Sequence, residues 1–158
     1  TIYQNIPQPV INYLSAFDNN RTSCAAQFTP NGCFFLSLHD RISTAIDNRW
    51  PSYANIEQWF INNKSHNFYT VPNNRSPKIQ GNQMIEQFFN MLPRTVHDTS
   101  TLRCTYVKLP NDGIMIQITG RLLDNTACRN FSRQLLFDNT GIYIHSDTLY
   151  ISGEIISN

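Results

Sequence analysis

Asn130-Phe-Ser-Arg-Gln-Leu-Leu-Phe137, the turn Asp138-Asn-Thr-Gly141 and Ile142-Tyr-Ile-His-Ser-Asp-Thr-Leu-Tyr-Ile151 decide how this chain is read. Phe131, Arg133, Leu135 and Phe137 alternate with Ser132, Gln134 and Leu136. Ile142 and Ile144 alternate with Tyr143 and His145. Successive strand residues point to opposite faces, so alternation on both sides of an Asn/Asp/Gly turn predicts a β-hairpin. Ser146-Asp147 interrupts the second strand before Leu149-Tyr-Ile151 resumes it, which predicts a bulge or bend there. The hairpin carries no catalytic motif, and it reads as a surface for partners.

The residues just upstream continue the pattern. Leu102-Arg-Cys-Thr-Tyr-Val-Lys-Leu109 ends at the turn Pro110-Asn-Asp-Gly113, and Ile114-Met-Ile-Gln-Ile-Thr-Gly-Arg-Leu122 ends at Asp124-Asn-Thr-Ala127. These strands and the hairpin form a serial meander. Tyr106, Arg133, Tyr143 and Tyr150 place on it the residue types enriched at the centres of protein interfaces.

Helical signals come earlier in the chain. A first helix opens near Pro7 or Pro9, with Val10, Leu14 and Phe17 at spacings of four and three, and stops at Asp18-Asn-Asn20. Asn20 then caps a short helix over 21–28, and Thr29-Pro-Asn-Gly32 turns the chain into a buried strand over 33–38. A further helix over 82–92 shows Met84, Ile85, Phe88, Phe89 and Leu92 on one face and ends at Pro93. Residues 39–80 are irregular and read as an insertion, with a short helix over Asn55–Ile61 and a compact turn at Ser65-His-Asn-Phe68. Helices first and a meander afterwards imply an α+β class. The expected architecture is a curved antiparallel sheet with three helices on one face.

The 158 residues read as one domain with enough chain to bury a core. Apolar residues make up 41% and charged residues 15%, which is globular rather than disordered. A net charge of +1 gives no basic excess of the sort a dedicated nucleic-acid surface shows. No apolar run approaches membrane-spanning length. The first residue is Thr1 and no signal peptide precedes it, so a cut or processed chain is expected. Cys24, Cys33, Cys104 and Cys128 form no C-x-x-C pair and have no His at metal-ligand spacing. They read as small hydrophobes in a reducing compartment, with no metal or cofactor expected. The Asn-x-Ser/Thr triplets at Asn20, Asn63, Asn74 and Asn130 are what a chain this rich in Asn, Ser and Thr contains by chance.

Several blocks then coincide with a known family. They are Tyr13-Leu-Ser-Ala-Phe-Asp18, Ser65-His-Asn-Phe68, Leu92-Pro-Arg-Thr-Val-His-Asp98, Ile118-Thr-Gly120, Phe131-Ser-Arg133, and Ile144, Ser146, Asp147, Leu149 and Ile151 at their spacing. Together they resemble the nuclear transport factor 2-like domain of the TAP-type mRNA export receptors, over nearly the whole chain. The resemblance implies a cone-like fold and a non-enzymatic role. It implies a heterodimer, sheet face to sheet face, with a small subunit of similar fold. It also implies a pocket for Phe-Gly repeats of nucleoporins, contact with mRNA mainly through other modules, and shuttling between nucleus and cytoplasm through the nuclear pore. Carried onto this chain, the Phe-Gly pocket falls on Pro7, Val10, Asp138 and Ile142. The partner face falls on the strands from 102 onward, with Thr105, Tyr106, Arg133, Leu135 and Tyr143 as its expected residues. Thr105 stands where some members carry an acidic residue, so an ion pair at that point is not expected.

Two other readings remain open from the residues. The same fold hosts small dehydratases and isomerases, for which His39, Asp40, His97, Asp98, Tyr106 and His145 are the candidate groups. Arg41, Arg49, Lys64, Arg75 and Lys78 near Trp50, Trp59, Phe60 and Tyr69 would suit a single-stranded RNA surface.

Overall fold

The computed structural model describes residues 6–38, 50–51, 53–62, 68–70, 77–124 and 127–155. Helix α1 (Gln8–Asn19) follows Pro7 and has Pro9 in its first turn, where a missing N–H costs no hydrogen bond. Val10, Tyr13, Leu14 and Phe17 form its buried stripe. Asn20 ends α1 and caps α2 (Arg21–Ala25), its side chain accepting from the Ser23 N–H at 3.1 Å. Strand β1 (Phe28–Leu38) begins five residues before the expected start at Cys33. The Thr29–Gly32 turn is an irregularity inside it, across which the pairing register shifts.

The stretch read as an insertion contains α3 (Tyr53–Asn62), β2 (Phe68–Thr70) and β3 (Pro77–Gln80). Residues 65–67 of the expected turn lie outside the described residues. Helix α4 (Asn82–Met91) follows Gly81, whose φ of 93° suits a residue without Cβ. Asn82 donates to the Ala25 and Phe28 carbonyls at 3.0 and 2.8 Å, which locks α4 to the end of α2 and the start of β1. The remaining strands are β4 (Thr95–Lys108), β5 (Ile114–Asp124), β6 (Ala127–Phe137) and β7 (Ile144–Ile155).

The seven strands of the described residues join one sheet in the order β2-β3-β1-β7-β6-β5-β4. The class is α+β with a curved, open sheet, as expected, but the sheet is mixed. β1 runs parallel to β7 while the other neighbours are antiparallel. Parallel neighbours need a long connection, and here most of the chain separates the two strands. The described residues form four helices, one more than the three expected, the addition being α3. No helix among the described residues is long and apolar enough to cross a membrane.

Bulges bend the sheet. Between Asp98 and Arg103, β4 spends extra residues that β5 does not match. Thr101 holds this bulge by accepting from the Arg121 N–H at 2.9 Å. Gly120 sits opposite, where a Cβ would lie 3.0 Å from Leu102 Cδ2 and 3.2 Å from Phe131 Cε1. A second bulge falls between Ile144 and Ser146 of β7, one residue before the expected interruption.

The helices fill the concave side. Phe17, Phe28, Phe34 and Phe89 interlock edge to face at centroid distances of 4.8–6.0 Å. Tyr13 donates to Asp147 on β7, while Asp18 reaches Thr95 and His97 at the start of β4. Thus the N-terminus of α1 points toward the end of the sheet that carries Lys108, Ile114, Phe137 and Ile144. The loops 109–113 and 138–143 lie at that same end.

Candidate functional site

Strand parity divides the sheet into two faces with different chemistry. Phe131, Arg133, Leu135 and Phe137 of β6 point into the cone, as do Ile116 and Ile118 of β5 and Leu149 and Ile151 of β7. The opposite side chains form an outer face that no helix among the described residues covers. Register aligns them across β4, β5, β6 and β7 in rows: Val107–Met115–Leu136–Ser146, Thr105–Gln117–Gln134–Thr148 and Arg103–Thr119–Ser132–Tyr150. This face carries a groove of about 980 Å³, lined from β4 to β7 by Arg103, Thr119, Arg121, Asn130, Ser132 and Tyr150 among others. Tyr150 keeps 40% of its surface exposed.

Four expected partner residues are placed differently. Arg133 and Leu135 are both 0% exposed and belong to the core, so neither is available to a partner on the sheet face. Their phase with Phe131 and Phe137 turns them inward. Arg133 stays buried because Asp147 bonds it and the rings of Phe17 and Tyr13 lie 4.3 and 5.6 Å from its guanidinium carbon. Tyr106 has the helix-side parity but projects beyond the helices and is 66% exposed. Tyr143 is exposed in the loop before β7 rather than on a strand. Thr105 lies on the outer face, opposite Gln117.

The residues expected at the Phe-Gly pocket divide in the same way. The β6–β7 connection runs over six residues, 138–143, not four. Asp138 organises it, its carboxylate accepting from the Thr140 hydroxyl at 2.6 Å and the Thr140 N–H at 3.2 Å. Ile142 is pulled out of the strand and is 60% exposed, and Pro7 is half-buried. Val10 is fully buried in the core, so it cannot form the open wall of a pocket.

The comparisons with known proteins bear on this geometry. The family model described as the nuclear RNA export factor NTF2 domain matches residues 7–152. The chain belongs to that family. Among solved structures, the C. albicans Mtr2-Mex67 M domain complex contains a similar fold, at 19% identity and a TM-score of 0.63 over 94% of each chain. The Chaetomium thermophilum Mex67 NTF2-like domain complexed with Mtr2 matches at 17% identity and a TM-score of 0.58, over 100% of this chain and 96% of the other. Nuclear transport factor 2 from Cryptosporidium parvum matches at 19% identity and a TM-score of 0.59, over 91% and 89%. No curated protein sequence is significantly similar to the chain.

The cone of this export-factor NTF2 domain contains buried polar groups, and they are packed rather than arranged around a space. His97 pairs with Asp18, not with Asp98, at 2.8 Å through Nδ1. Its other nitrogen meets no hydrogen-bond partner, and the ring packs edge to face on Phe131 and Phe17 at 4.9 and 5.9 Å. Asp98 is held by Ser100, and His145 lies exposed beside Thr29. His39 and Asp40 lie outside the described residues. Among the described residues no set of candidate acids and bases converges on a cavity. Of the basic and aromatic residues considered for RNA, only the side chains of Trp50, Trp59 and Lys78 are among those described. Trp50 is buried and donates to Asp124, and Trp59 packs on Phe88 at 6.2 Å. Arg41, Arg49, Lys64 and Arg75, and the side chains of Phe60 and Tyr69, lie outside the described residues, while Lys78 is half-buried.

The His97–Asp18 pair has a measurable consequence. Burial disfavours the imidazolium and outweighs the hydrogen bond to Asp18, so the His97 pKa is held below its ordinary value. Burial also opposes ionisation of Asp18, but the hydrogen bonds from His97 and Thr95 prevail and lower its pKa. The unfolded chain therefore binds a proton at position 97 that the folded chain resists. That contribution is complete above the unfolded value of about 6.5 and is lost as pH falls from there toward the folded value. The urea midpoint is expected to drop between about pH 7.5 and pH 5.5, and His97→Gln is expected to flatten that drop.

Proposed function

We propose that this domain is a non-enzymatic scaffold of a nuclear mRNA export receptor. On this reading its outer sheet face binds a small subunit of the same fold. The end of the cone that carries Ile142 and Tyr143 takes Phe-Gly repeats of nucleoporins. The resulting heterodimer shuttles between nucleus and cytoplasm through the pore, while mRNA is engaged mainly by other modules. The observation that supports this best is the uncovered outer face of β4, β5, β6 and β7, with its groove and its half-exposed Tyr150. A sheet covered by helices on one side only leaves the other to solvent or to a partner. The family match and the Mex67 domain solved in complex with Mtr2 agree with the second outcome.

The test is co-expression with the small NTF2-like subunit of the same species, followed by titration calorimetry. Tyr150→Ala is expected to weaken the heterodimer by about 2 kcal/mol, roughly thirtyfold, as truncation of a central interface aromatic does. Its own unfolding midpoint should hardly move, because the ring lies outside the core. Unchanged affinity would remove the outer face from the interface. Unchanged affinity for Phe-Gly peptides after truncating Ile142 and Tyr143 together would remove that end of the cone from the nucleoporin site.

A further inference from the structure

The outer face is polar in one direction. One edge of it, the row of Val107, Met115 and Leu136, is apolar. The groove two rows away is lined by two charged side chains, Arg103 on β4 and Arg121 on β5, both exposed and of the same sign. The rest of the lining is uncharged: Ser100, Thr101, Thr119, Asn130, Ser132 and Ser152 supply small polar groups, and Tyr150 supplies a ring. Asp98 stands opposite Arg121 in register, but its carboxylate turns away to accept from the Ser100 N–H and hydroxyl at 3.1 and 2.6 Å. Among the described residues no carboxylate lies within ion-pair distance of either guanidinium. This differs from three other arginines of the fold. Arg129 and Arg133 are paired with Asp124 and Asp147, and Arg21 is taken up by the backbone carbonyls of Phe17, Phe89 and Pro93.

We propose that the groove between Arg103 and Arg121 receives an acidic side chain from the sheet face of the small subunit, and that this contact sets both the orientation of the partner and the preference for it over a second copy of this chain. The inference rests on the heterodimer reading given above. A guanidinium offers a planar fork of donors that fits a carboxylate, and two of them in one groove make an anion the complementary occupant. Isologous pairing of two copies would bring four guanidinium groups together with no carboxylate in the lining, so self-association through this face is disfavoured. The apolar row at the other edge supplies burial without direction. The charged groove therefore distinguishes the two ways in which a partner sheet can be laid across it.

The experiment uses the wild-type heterodimer with the small subunit of the same species, and the Arg103→Gln/Arg121→Gln variant, each titrated at low and high salt. Wild-type affinity is expected to fall at least tenfold between about 50 and 300 mM salt, because the contact is electrostatic and the Debye length shortens over that range. The double Gln variant should bind more weakly at low salt and lose most of the salt dependence. Arg103→Glu/Arg121→Glu should abolish binding at the concentrations used and should be restored by reversing the acidic residue of the partner. Equal affinity and equal salt response of wild type and the Gln variant overturn the inference while leaving the heterodimer standing. If the folded wild-type chain does not bind the subunit at all, the heterodimer reading itself fails, and the charged contact with it. Both arginines are exposed, so circular dichroism of the variants should match the wild type, and a loss of binding with an intact spectrum is a loss of contact.

Discussion

Asp147→Ala is expected to destabilise the domain by about 3–5 kcal/mol. Asp147 is fully buried on β7 and holds two groups at once. It accepts from the Tyr13 hydroxyl at 2.6 Å and pairs with the Arg133 guanidinium, itself without exposure. Removing the carboxylate leaves a cation and a hydroxyl in a low-dielectric core with no acceptor. Burial disfavours the charge on Arg133, but the Asp147 carboxylate outweighs it and holds the guanidinium charged. A domain is ordinarily stable by only about 5–15 kcal/mol, so this loss should bring unfolding close to ambient conditions. Urea denaturation followed by fluorescence measures it directly. The paired variant Arg133→Met/Asp147→Leu should recover most of the loss, since a buried ion pair is weakly stabilising against apolar groups of similar volume. A single variant that loses less than about 1 kcal/mol would show that the pair is not a buried ionic contact.

The second large effect separates the core from the nucleoporin site. Val10→Asp places an unpaired carboxylate at a position that is fully buried in α1, and is expected to unfold the domain or cost several kcal/mol. Ile142→Asp, by contrast, changes an exposed loop residue and should leave the urea midpoint within about 0.5 kcal/mol of wild type. On the proposed reading, Ile142→Asp still lowers capture of Phe-Gly peptides several-fold, because a ring seated on an apolar surface gives only a few kcal/mol and a charge beside it removes most of that. Soluble, fully folded Val10→Asp protein would contradict the placement of that side chain. Loss of peptide binding by Val10→Asp alone says nothing of the pocket, since the fold is lost first.

Much of the sheet was legible because alternation reports the face directly. Phe131 and Phe137 point into the cone, and Ser132 and Gln134 face out, as their polarity says, while Leu135, expected on the partner face, is inward with the phenylalanines. From its charge Arg133 reads as an outward residue, because a cation is so seldom buried without a counter-charge. Its counter-charge lies on the neighbouring strand and its aromatic cover on α1, so nothing adjacent in sequence signals that the position is neutralised. Phase with its neighbours was the better guide than charge. The six-residue loop is not legible in the sequence either. Ile142 has the right spacing for a strand, but hydrogen bonds from Thr140 to the Asp138 carboxylate and from the Asp138 N–H to the Tyr143 carbonyl close a wider turn. The Asp98 suggested beside His97 by chain order belongs to the β4 bulge, and the true partner, Asp18, comes from α1.

Local pattern by itself determined the helix ends at Pro7, Asn20 and Pro93, the serial strands from residue 102 onward, the α+β class and the family blocks. Each depends on a few neighbouring residues whose backbone preferences and polarity are set within one turn or one strand pair. Only the tertiary structure decided that β1 joins β7 in parallel, which buried acid answers which buried base, and that Arg103 and Arg121 share one groove. These depend on strand register and on the approach of elements far apart in the chain. Their energies come from burial and charge pairing between distant residues, which no local spacing encodes.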